Sequence, residues 1–266
     1  MQKFPRVSVV MPIYNRAYCV QNAVRSLIDQ EFKDWELIVV DDGSDDKDLL
    51  IKKLEKFDDE RIRYERLEHS GSISKVRNHG NMIANGDIIV VQDSDDVSLP
   101  DRLSEIVKAF DEDETIDVVY HGMIIKMYDD KHDTDARLIK HADPFDMKRL
   151  LKEQYIPGQI AYKSYPIRAY PYEDVIEVCD DWMMLLGLAL NKCKFKRIDK
   201  QLYEYYMLDD SVNVTGEIDG RRKKDTENII KILKDKYGIT ATAQMEKHLI
   251  NENFEKGNII SKETIK

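Results

Sequence analysis

The run Val7-Ser8-Val9-Val10-Met11-Pro12-Ile13 decides the fold, because it is apolar on both faces, as a strand inside a parallel sheet must be. Apolar residues at helical spacing follow over 20–28, and a second short apolar run follows at 36–40. Further strands are predicted at 62–67, 87–91 and 116–120, and further helices at 74–84 and 103–110. This alternation predicts an α/β fold with a mostly parallel central sheet and helices on both faces.

Beyond residue 120 the pattern becomes less regular. Residues 129–135 have the short, acidic side chains of a turn between two strands. Residues 155–172 combine prolines with tyrosines and predict a binding loop, not a helix. A buried helix is predicted at 182–190 and a strand around Tyr203 and Tyr205.

Composition narrows the class of protein. With 266 residues, 42% of them hydrophobic, the chain can bury one large core. A net charge of −10 disfavours nucleic-acid binding, because such a surface repels a phosphate backbone. The three cysteines lie far apart, which argues against a disulfide scaffold or a zinc site. The sequence shows neither an apolar run of about 18 residues, as a membrane span requires, nor a leader pattern. We therefore expect a cytoplasmic protein.

A charged helical tail is predicted after Asp219. It begins with the basic cluster Arg221, Arg222, Lys223 and Lys224, followed by apolar residues at helical spacing. The pattern indicates a solvated helix with one side facing the core, and the alternative is peripheral contact with an anionic membrane. We therefore predict one α/β domain at 1–218 and a helical C-terminal extension at 219–266. The domain has two halves, 1–120 and 121–218.

Polar residues follow three of the predicted strands. In an open parallel sheet, ligands bind at the carboxyl ends of the strands. Here those ends read Pro12-Ile13-Tyr14-Asn15-Arg16, Asp41-Asp42-Gly43-Ser44 and Asp93-Ser94-Asp95-Asp96. If the strands are neighbours, the three loops converge on one crevice. Each acidic pair taken alone is also typical of a turn or a helix N-cap.

The spacing of Asp93 and Asp95 predicts a metal site. Side chains two residues apart on an extended segment point the same way, so both carboxylates can bind one hard cation, Mg²⁺ or Mn²⁺. Such an ion leaves positions for phosphates, which allows an acidic chain to bind a diphosphate. We assign Asp96 to capping and supporting the helix that follows Pro100.

Four motifs in register carry a resemblance to a known family. They are the run from Val7 to Asn15, the run Ile38-Val39-Val40-Asp41-Asp42-Gly43-Ser44, the motif Arg77-Asn78-x-Gly80, and Gly86-Asp87-Ile88-Ile89 leading into Asp93-Ser94-Asp95-Asp96. Together they resemble the family 2 glycosyltransferases of GT-A fold over the first half of the chain. The resemblance implies a Rossmann-like GT-A domain that binds a nucleotide-sugar in 1–120 and places the acceptor in 121–218.

The resemblance implies a role for each matched residue. Pro12, Tyr14 and Asp41 match positions that hold the nucleotide base. The chemistry agrees, since Asp41 can accept the imide N–H of uracil or thymine while Tyr14 stacks on the ring. Asp93 matches the position facing the ribose, and Asp95 the metal ligand, with Asp93 as a second carboxylate. The implied nucleotide-sugar site comprises Pro12, Tyr14, Asn15, Asp41, Arg77, Asn78, Asp93 and Ser94. The alternatives are core packing for Tyr14 and a surface ion pair for Arg77.

An inverting transferase needs a base opposite the leaving group. Relatives supply it from an acidic pair that opens a helix, and Asp180-Asp181-Trp182 resembles that motif. Asp181 is the implied base, with Asp180 beside it, and the alternative for Asp181 is a helix cap. Many relatives also place a His in a late loop, where this chain has Leu208. Either Asp209 or Asp210 then substitutes, or the site relies on Asp95 and the diphosphate.

The implied function is that of an inverting, metal-dependent glycosyltransferase of hexosyl or N-acetylhexosaminyl type. The implied donor is a UDP-sugar, and a dTDP-sugar presents the same imide edge. The implied acceptor is a bacterial surface polysaccharide or lipid-linked glycan. Because of Leu208, the alternative is a catalytically impaired relative that only binds nucleotide-sugars.

Three other classes fit the strand ends less well. A dinucleotide oxidoreductase and a sugar nucleotidyltransferase need glycines after the first strand, and residues 12–16 contain none. A receiver-like domain would carry its acidic pair after the first strand, whereas here the acidic clusters follow the second and fourth strands.

Overall fold

Nine strands of the described residues form one sheet. The computed structural model describes residues 4–129, 134–208 and 219–240. The strands are β1 (Val7–Ile13), β2 (Trp35–Asp41), β3 (Ile62–Arg66), β4 (Ile88–Val91), β5 (Val97–Ser98), β6 (Val118–Asp129), β7 (Thr134–Lys140), β8 (Ala161–Lys163) and β9 (Phe195–Tyr206). Their order across the sheet is β3-β2-β1-β4-β8-β6-β9-β5, and β7 pairs with β6.

The predicted parallel arrangement of the first strands is confirmed. β1 lies between β2 and β4 and pairs in parallel with both, and β2 pairs in parallel with β3. The pairing brings Ile13 opposite Asp41 and Val10 opposite Val91. The carboxyl ends of β1, β2 and β4 therefore meet at one edge of the sheet. Antiparallel pairs begin beyond β4, where β8 pairs with β4 and β6.

Helices cover both faces of the sheet, as predicted. They are α1 (Val20–Ile28), α2 (Lys47–Glu55), α3 (Ile73–Ile83), α4 (Arg102–Glu112), α5 (Met147–Leu150), α6 (Ser164–Ala169), α7 (Asp180–Leu190) and α8 (Arg221–Tyr237). Side chains of a strand alternate between the faces. Val9 accordingly packs in one core cluster with Leu27 of α1, whereas Val10 packs in the other with Trp182 of α7. No helix among the described residues is both long and apolar enough to cross a membrane.

The less regular half contains more structure than its sequence indicates. The prediction of a loop at 155–172 is wrong in part, because this stretch contains β8 and the short helix α6. The two strands predicted around 129–135 are confirmed by the antiparallel pair β6 and β7, while residues 130–133 lie outside the described residues.

Two further predictions concern helix ends. Asp96 does not cap the helix after Pro100, since the N-cap of α4 is Asp101. The Oδ1 atom of Asp96 instead accepts a hydrogen bond from the backbone N–H of Tyr206, 2.8 Å away, and so joins the loop after β4 to β9. Within the predicted helical extension the structure places one helix, α8, and residues 241–266 lie outside the described residues.

Candidate active site

A cavity of about 560 Å³ lies at the edge where β1, β2 and β4 end and α7 begins. Nine of the eleven residues predicted for the site line it: Pro12, Tyr14, Asn15, Arg77, Asp93, Ser94, Asp95, Asp180 and Asp181. The strand-end loops thus converge as the sequence predicts. A larger cavity of about 930 Å³ lies between α2 and β3, but its lining contains none of the strand-end motifs and no basic side chain.

Asp41 lies beneath the cavity instead of on its wall. Its side chain is fully buried, and Oδ1 accepts the backbone N–H of Ser44 at 2.8 Å. Oδ2 accepts hydrogen bonds from the Tyr64 hydroxyl and the Arg66 guanidinium, each at 2.6 Å. Burial alone would raise the pKa of this carboxyl, but the hydrogen bonds from Ser44, Tyr64 and Arg66 hold it below its usual value. Asp41 therefore stays ionised and fixes the loop after β2.

Two asparagines of the predicted site connect loops. Asn15 has a φ of 52°, a left-handed conformation that asparagine tolerates better than most residues. Its backbone N–H donates to Ser44 Oγ at 2.9 Å, and its Oδ1 accepts the N–H of Asp45 at 2.8 Å, which ties the first loop to the second. Asn78 lies off the cavity wall, where its side chain donates to the carbonyl of Tyr172 and accepts that residue's N–H, both at 2.9 Å.

Tyr14 stands on the cavity wall, and the alternative of core packing is wrong. Its side chain is 41% exposed, and its ring stacks on His69 with centroids 4.3 Å apart. His69 is held in turn by Asp42, whose Oδ2 lies 3.0 Å from the Nδ1 atom of His69. The other Asp42 oxygen accepts the N–H of Ser70 at 2.9 Å. Asp42 therefore supports an aromatic platform that sequence reasoning did not find.

Arg77 is a buried ion-pair partner, which excludes the alternative of a surface ion pair. Its guanidinium binds Asp180 through Nη1 and Asp93 through Nη2, the latter at 2.9 Å. Burial would lower the pKa of Arg77, but the carboxylates of Asp180 and Asp93 raise it well above its usual value. Arg77 thus carries a permanent positive charge and joins α3 to both β4 and α7.

The residues of the predicted metal site supply hard oxygen donors. Asp93 and Asp95 both line the cavity, and Asp95 Oδ2 lies 3.4 Å from Nη1 of Arg16. Asp93 Oδ2 accepts a hydrogen bond from Gln159 at 3.0 Å. The described residues contain no group of three or more His, Cys, Asp or Glu side chains placed to hold a metal. Two carboxylates fit Mg²⁺ or Mn²⁺, because these ions take one or two carboxylates plus substrate phosphates.

The two acidic residues of α7 have different surroundings. Asp180 is 6% exposed and paired with Arg77, and burial raises the pKa of its carboxyl while Arg77 opposes that rise. Asp181 is half-buried, and its Oδ2 accepts a hydrogen bond from Gln154 at 2.7 Å. The N-cap of α7 is Cys179, so both aspartates lie within the first turn, where Oδ1 of Asp181 accepts the backbone N–H of Trp182 at 2.8 Å.

Several side chains that line this site were not assigned to it from the sequence. Arg16, Gln159, Tyr205 and Arg221 line the cavity, and they come from four separate parts of the chain. Arg16 ends the first strand-end motif and Arg221 opens the basic cluster, whereas Gln159 and Tyr205 belong to no motif. The position aligned with the family's His, Leu208, is fully buried, whereas Asp209 and Asp210 lie outside the described residues.

Comparison with known proteins gives the family. Residues 8–178 match the profile described as Glycosyl transferase family 2. The chain is 34% identical over 110 residues to the GalNAc(5)-diNAcBac-PP-undecaprenol beta-1,3-glucosyltransferase of Campylobacter jejuni, covering 41% of this chain and 35% of that protein. It spans 30–45% of the length of five curated relatives to which it is 34–38% identical.

Solved structures give the fold. The TarS 1–349 structure from S. aureus in complex with UDP-GlcNAc has a TM-score of 0.61 at 19% identity, covering 90% of this chain and 74% of that chain. The mannosyltransferase PcManGT from Pyrobaculum calidifontis, in complex with GDP-Man and Mn²⁺, has a TM-score of 0.64 at 17% identity, covering 93% and 69%. These similarities confirm the predicted GT-A fold class.

Proposed function

The chain belongs to glycosyl transferase family 2, and from that premise we propose that it transfers a sugar from a nucleotide-sugar to an acceptor hydroxyl with inversion at the anomeric carbon. The observation that carries the proposal is the single cavity that joins the strand-end loops to the first turn of α7. A donor site and an acidic residue placed to activate an acceptor are the two parts that such a reaction requires.

The nucleotide base is proposed to stack on Tyr14, on the ring face opposite His69. Asp41 is the proposed acceptor for the imide N–H of a uracil or thymine base. The carboxylate already accepts three hydrogen bonds, from Ser44, Tyr64 and Arg66, which leaves about one of its four acceptor positions, on Oδ1, for the imide. Tyr64 and Arg66 of β3 hold Oδ2 and so orient the carboxylate for that bond. A UDP-sugar and a dTDP-sugar both satisfy this requirement.

The charges of the cavity favour a divalent cation as cofactor. Its lining contains five aspartates and three arginines: Asp42, Asp93, Asp95, Asp180 and Asp181 against Arg16, Arg77 and Arg221. A diphosphate added to this excess of negative charge is repelled unless a cation accompanies it. Asp95, with Asp93, would hold Mg²⁺ or Mn²⁺. The bound ion would neutralise charge on the departing nucleoside diphosphate.

Asp181 is the proposed general base. A base must reach the acceptor hydroxyl and accept its proton, and Asp181 lines the cavity with its carboxylate oriented by Gln154 at Oδ2 and by the Trp182 N–H at Oδ1. Asp180 suits this task less well, because its carboxylate is engaged by the guanidinium of Arg77. Asp180 instead holds Arg77 between α7 and Asp93. The proposed acceptor is a bacterial surface polysaccharide or lipid-linked glycan, a class suggested by the name of the Campylobacter relative.

Replacement of Asp181 by Asn tests the proposed chemistry. We expect Asp181→Asn to fold and to bind UDP with Mn²⁺ like the wild type, while transfer falls by about 10²- to 10⁴-fold. Transfer is measured with a panel of UDP- and dTDP-sugars and lipid-linked acceptors. Asp180→Asn is the comparison, since it keeps the proposed base and removes the charge of one of the two partners of Arg77.

Two results would contradict the assignment. If Asp181→Asn transfers sugar at near wild-type rate while Asp180→Asn does not, the base is Asp180. If the wild type binds UDP and neither transfers nor hydrolyses any donor, the chain is a binding protein. Calorimetry tests the cofactor separately, because equal affinity for UDP in Mn²⁺ and in chelator excludes the proposed ion. Peripheral membrane contact through residues 221–224 stays a prediction. Of this cluster, Lys224 pairs with Glu177 at 2.8 Å.

A further inference from the structure

Helix α8 holds the chain segment that leads into the two aspartates of α7. This helix lies beyond residue 178, where the match to the family ends. Asn228 of α8 donates to the carbonyl of Val175 at 3.1 Å, and Lys224 pairs with Glu177 at 2.8 Å. The helix therefore contacts the start and the middle of the short segment 175–179, which immediately precedes Asp180.

The strongest of these contacts is made by Asp225. Its side chain is fully buried, and Oδ2 accepts hydrogen bonds from the N–H groups of Val178 at 2.6 Å and Cys179 at 2.9 Å. Oδ1 and Oδ2 also accept the N–H of Glu177 at 3.1 and 3.0 Å. Three consecutive backbone N–H groups thus converge on one carboxylate. A buried carboxylate is costly to place unless such donors replace its water.

The position of this carboxylate suits the end of the helix it holds. Glu177, Val178 and Cys179 directly precede the first turn of α7, whose N-terminus carries partial positive charge. A negative charge at that end stabilises the helix, and Asp225 adds one from another helix to those of Asp180 and Asp181 in the first turn. The N-cap residue Cys179 makes no side-chain capping bond.

Packing holds α8 itself in place. Ile229 and Leu233 of α8 are fully buried in the core cluster that also contains Trp182 of α7. On the other side of the segment, the Ser74 hydroxyl of α3 donates to the carbonyl of Ile176 at 3.1 Å. The segment before Asp180 is therefore fixed between α8 and α3, and Asp225 is its buried charged contact.

We propose that Asp225 is a positioning residue for sugar transfer, which fixes the backbone of residues 177–179 and through it the direction of the Asp181 carboxylate. The proposal rests on the proposed function, because it assigns Asp225 a purpose in that reaction. Asp225 touches no reacting group. Tyr14 and Asn15 on the donor side of the cavity lie in the loop after β1, so loss of Asp225 is expected to lower turnover far more than donor binding.

The test compares Asp225→Asn with Asp235→Asn in the full chain. Asp235 is an exposed residue of the same helix, so its replacement removes the same charge without touching residues 177–179. Hydrogen exchange of the amides of residues 177–179 is followed by mass spectrometry, and kcat and KM for the donor are measured well below the melting temperatures. Asp225→Asn is expected to speed exchange at least tenfold and to lower kcat at least tenfold, with KM within threefold. Asp235→Asn is expected to change neither.

The outcomes separate this proposal from the proposed function. Unchanged exchange in Asp225→Asn overturns the contact, and faster exchange with kcat equal to that of Asp235→Asn overturns the positioning role. A loss of thermal stability with unchanged kcat also overturns it, since that is the result of a merely structural residue. If Asp225→Asn does not fold, Asp225→Glu, which keeps the charge and shifts the carboxylate, is measured by the same criteria. A wild type without any transfer refutes the proposed function, and the exchange rates alone then decide on the contact.

Discussion

Adding a single methyl group at Gly158 is expected to displace the proposed base. A Cβ atom built on Gly158 would lie 2.8 Å from Cβ and 2.9 Å from Cγ of Asp181. Carbon atoms in ordinary contact are about 3.5–4.0 Å apart, so Gly158→Ala requires the two groups to separate by roughly 1 Å. The φ angle of Gly158 is not positive, so its backbone conformation accepts alanine. The expected effect of the substitution therefore comes from the crowding at Asp181.

The size of the effect follows from that displacement. A misplacement of about 1 Å at a catalytic group can cost about 10²-fold in rate, which corresponds to about 2.7 kcal/mol of activation free energy. We therefore expect kcat of Gly158→Ala to fall about 100-fold. The affinity for UDP is expected to stay within about twofold, because Tyr14 and Asp41 belong to other loops.

The assay is sugar transfer at saturating donor, with Gly187→Ala as the matched control. Gly187 lies on α7, and a Cβ there would meet only the Tyr237 hydroxyl oxygen at 3.7 Å, an ordinary contact. Alanine in a helix is about 0.5–1 kcal/mol more stable than glycine, so this control should fold well and keep its kcat. If Gly158→Ala folds and its kcat is within threefold of that of Gly187→Ala, the geometric argument for Asp181 is refuted.

Two further predictions concern buried charges. Arg77→Met leaves the carboxylates of Asp93 and Asp180 without their guanidinium and is expected to lower the free energy of unfolding by about 3–5 kcal/mol in urea titrations. Adding Asp180→Asn should recover part of this loss, and no recovery would show that the pair does not carry it. Burial and then Arg102 lower the pKa of His121 to about 3, so the unfolded chain binds a proton between pH 6.5 and 3 that the folded chain does not. The free energy of unfolding should therefore decrease as the pH is lowered below 6.5. Between pH 7.5 and pH 5 the decrease should be roughly 2 kcal/mol larger in the wild type than in His121→Gln. Equal pH dependence of the unfolding free energy in the two proteins would contradict this.

The regular half of the fold was predictable because its signals are local. A strand buried on both faces must be apolar throughout, and β1 and β2 have that pattern in every residue from Val7 to Val10 and from Leu37 to Val40 except Ser8. Parallel pairing of such strands then places their polar ends at one edge. This rule located Tyr14, Asp93 and Asp95 on one cavity without any knowledge of the rest of the chain.

The predicted chemistry of single residues was less secure, because it depends on partners that the sequence does not place. The sequence indicates that Asp41 is an exposed hydrogen-bond acceptor at a strand end. In the structure its carboxylate already accepts hydrogen bonds from Tyr64 and Arg66 of β3. Arg77 reads as a cation for the nucleotide, yet Asp93 and Asp180 already surround it. In both cases the side chain has the expected location and a different set of neighbours.

The contacts that fix residues 177–179 had no sequence signal at all. Asp225 lies in a charged helical run, and nothing in its immediate sequence distinguishes it from Asp235 ten positions later. Its hydrogen bonds reach back 46 to 48 residues along the chain, and they exist only because Ile229 and Leu233 pack beside Trp182. Periodicity identifies which face of such a helix is apolar, but the partner of a buried carboxylate is decided by how two helices meet. A search for positioning residues in related chains should therefore begin from buried carboxylates that accept several backbone N–H groups, since that arrangement is costly to bury and is kept only where the donors are fixed.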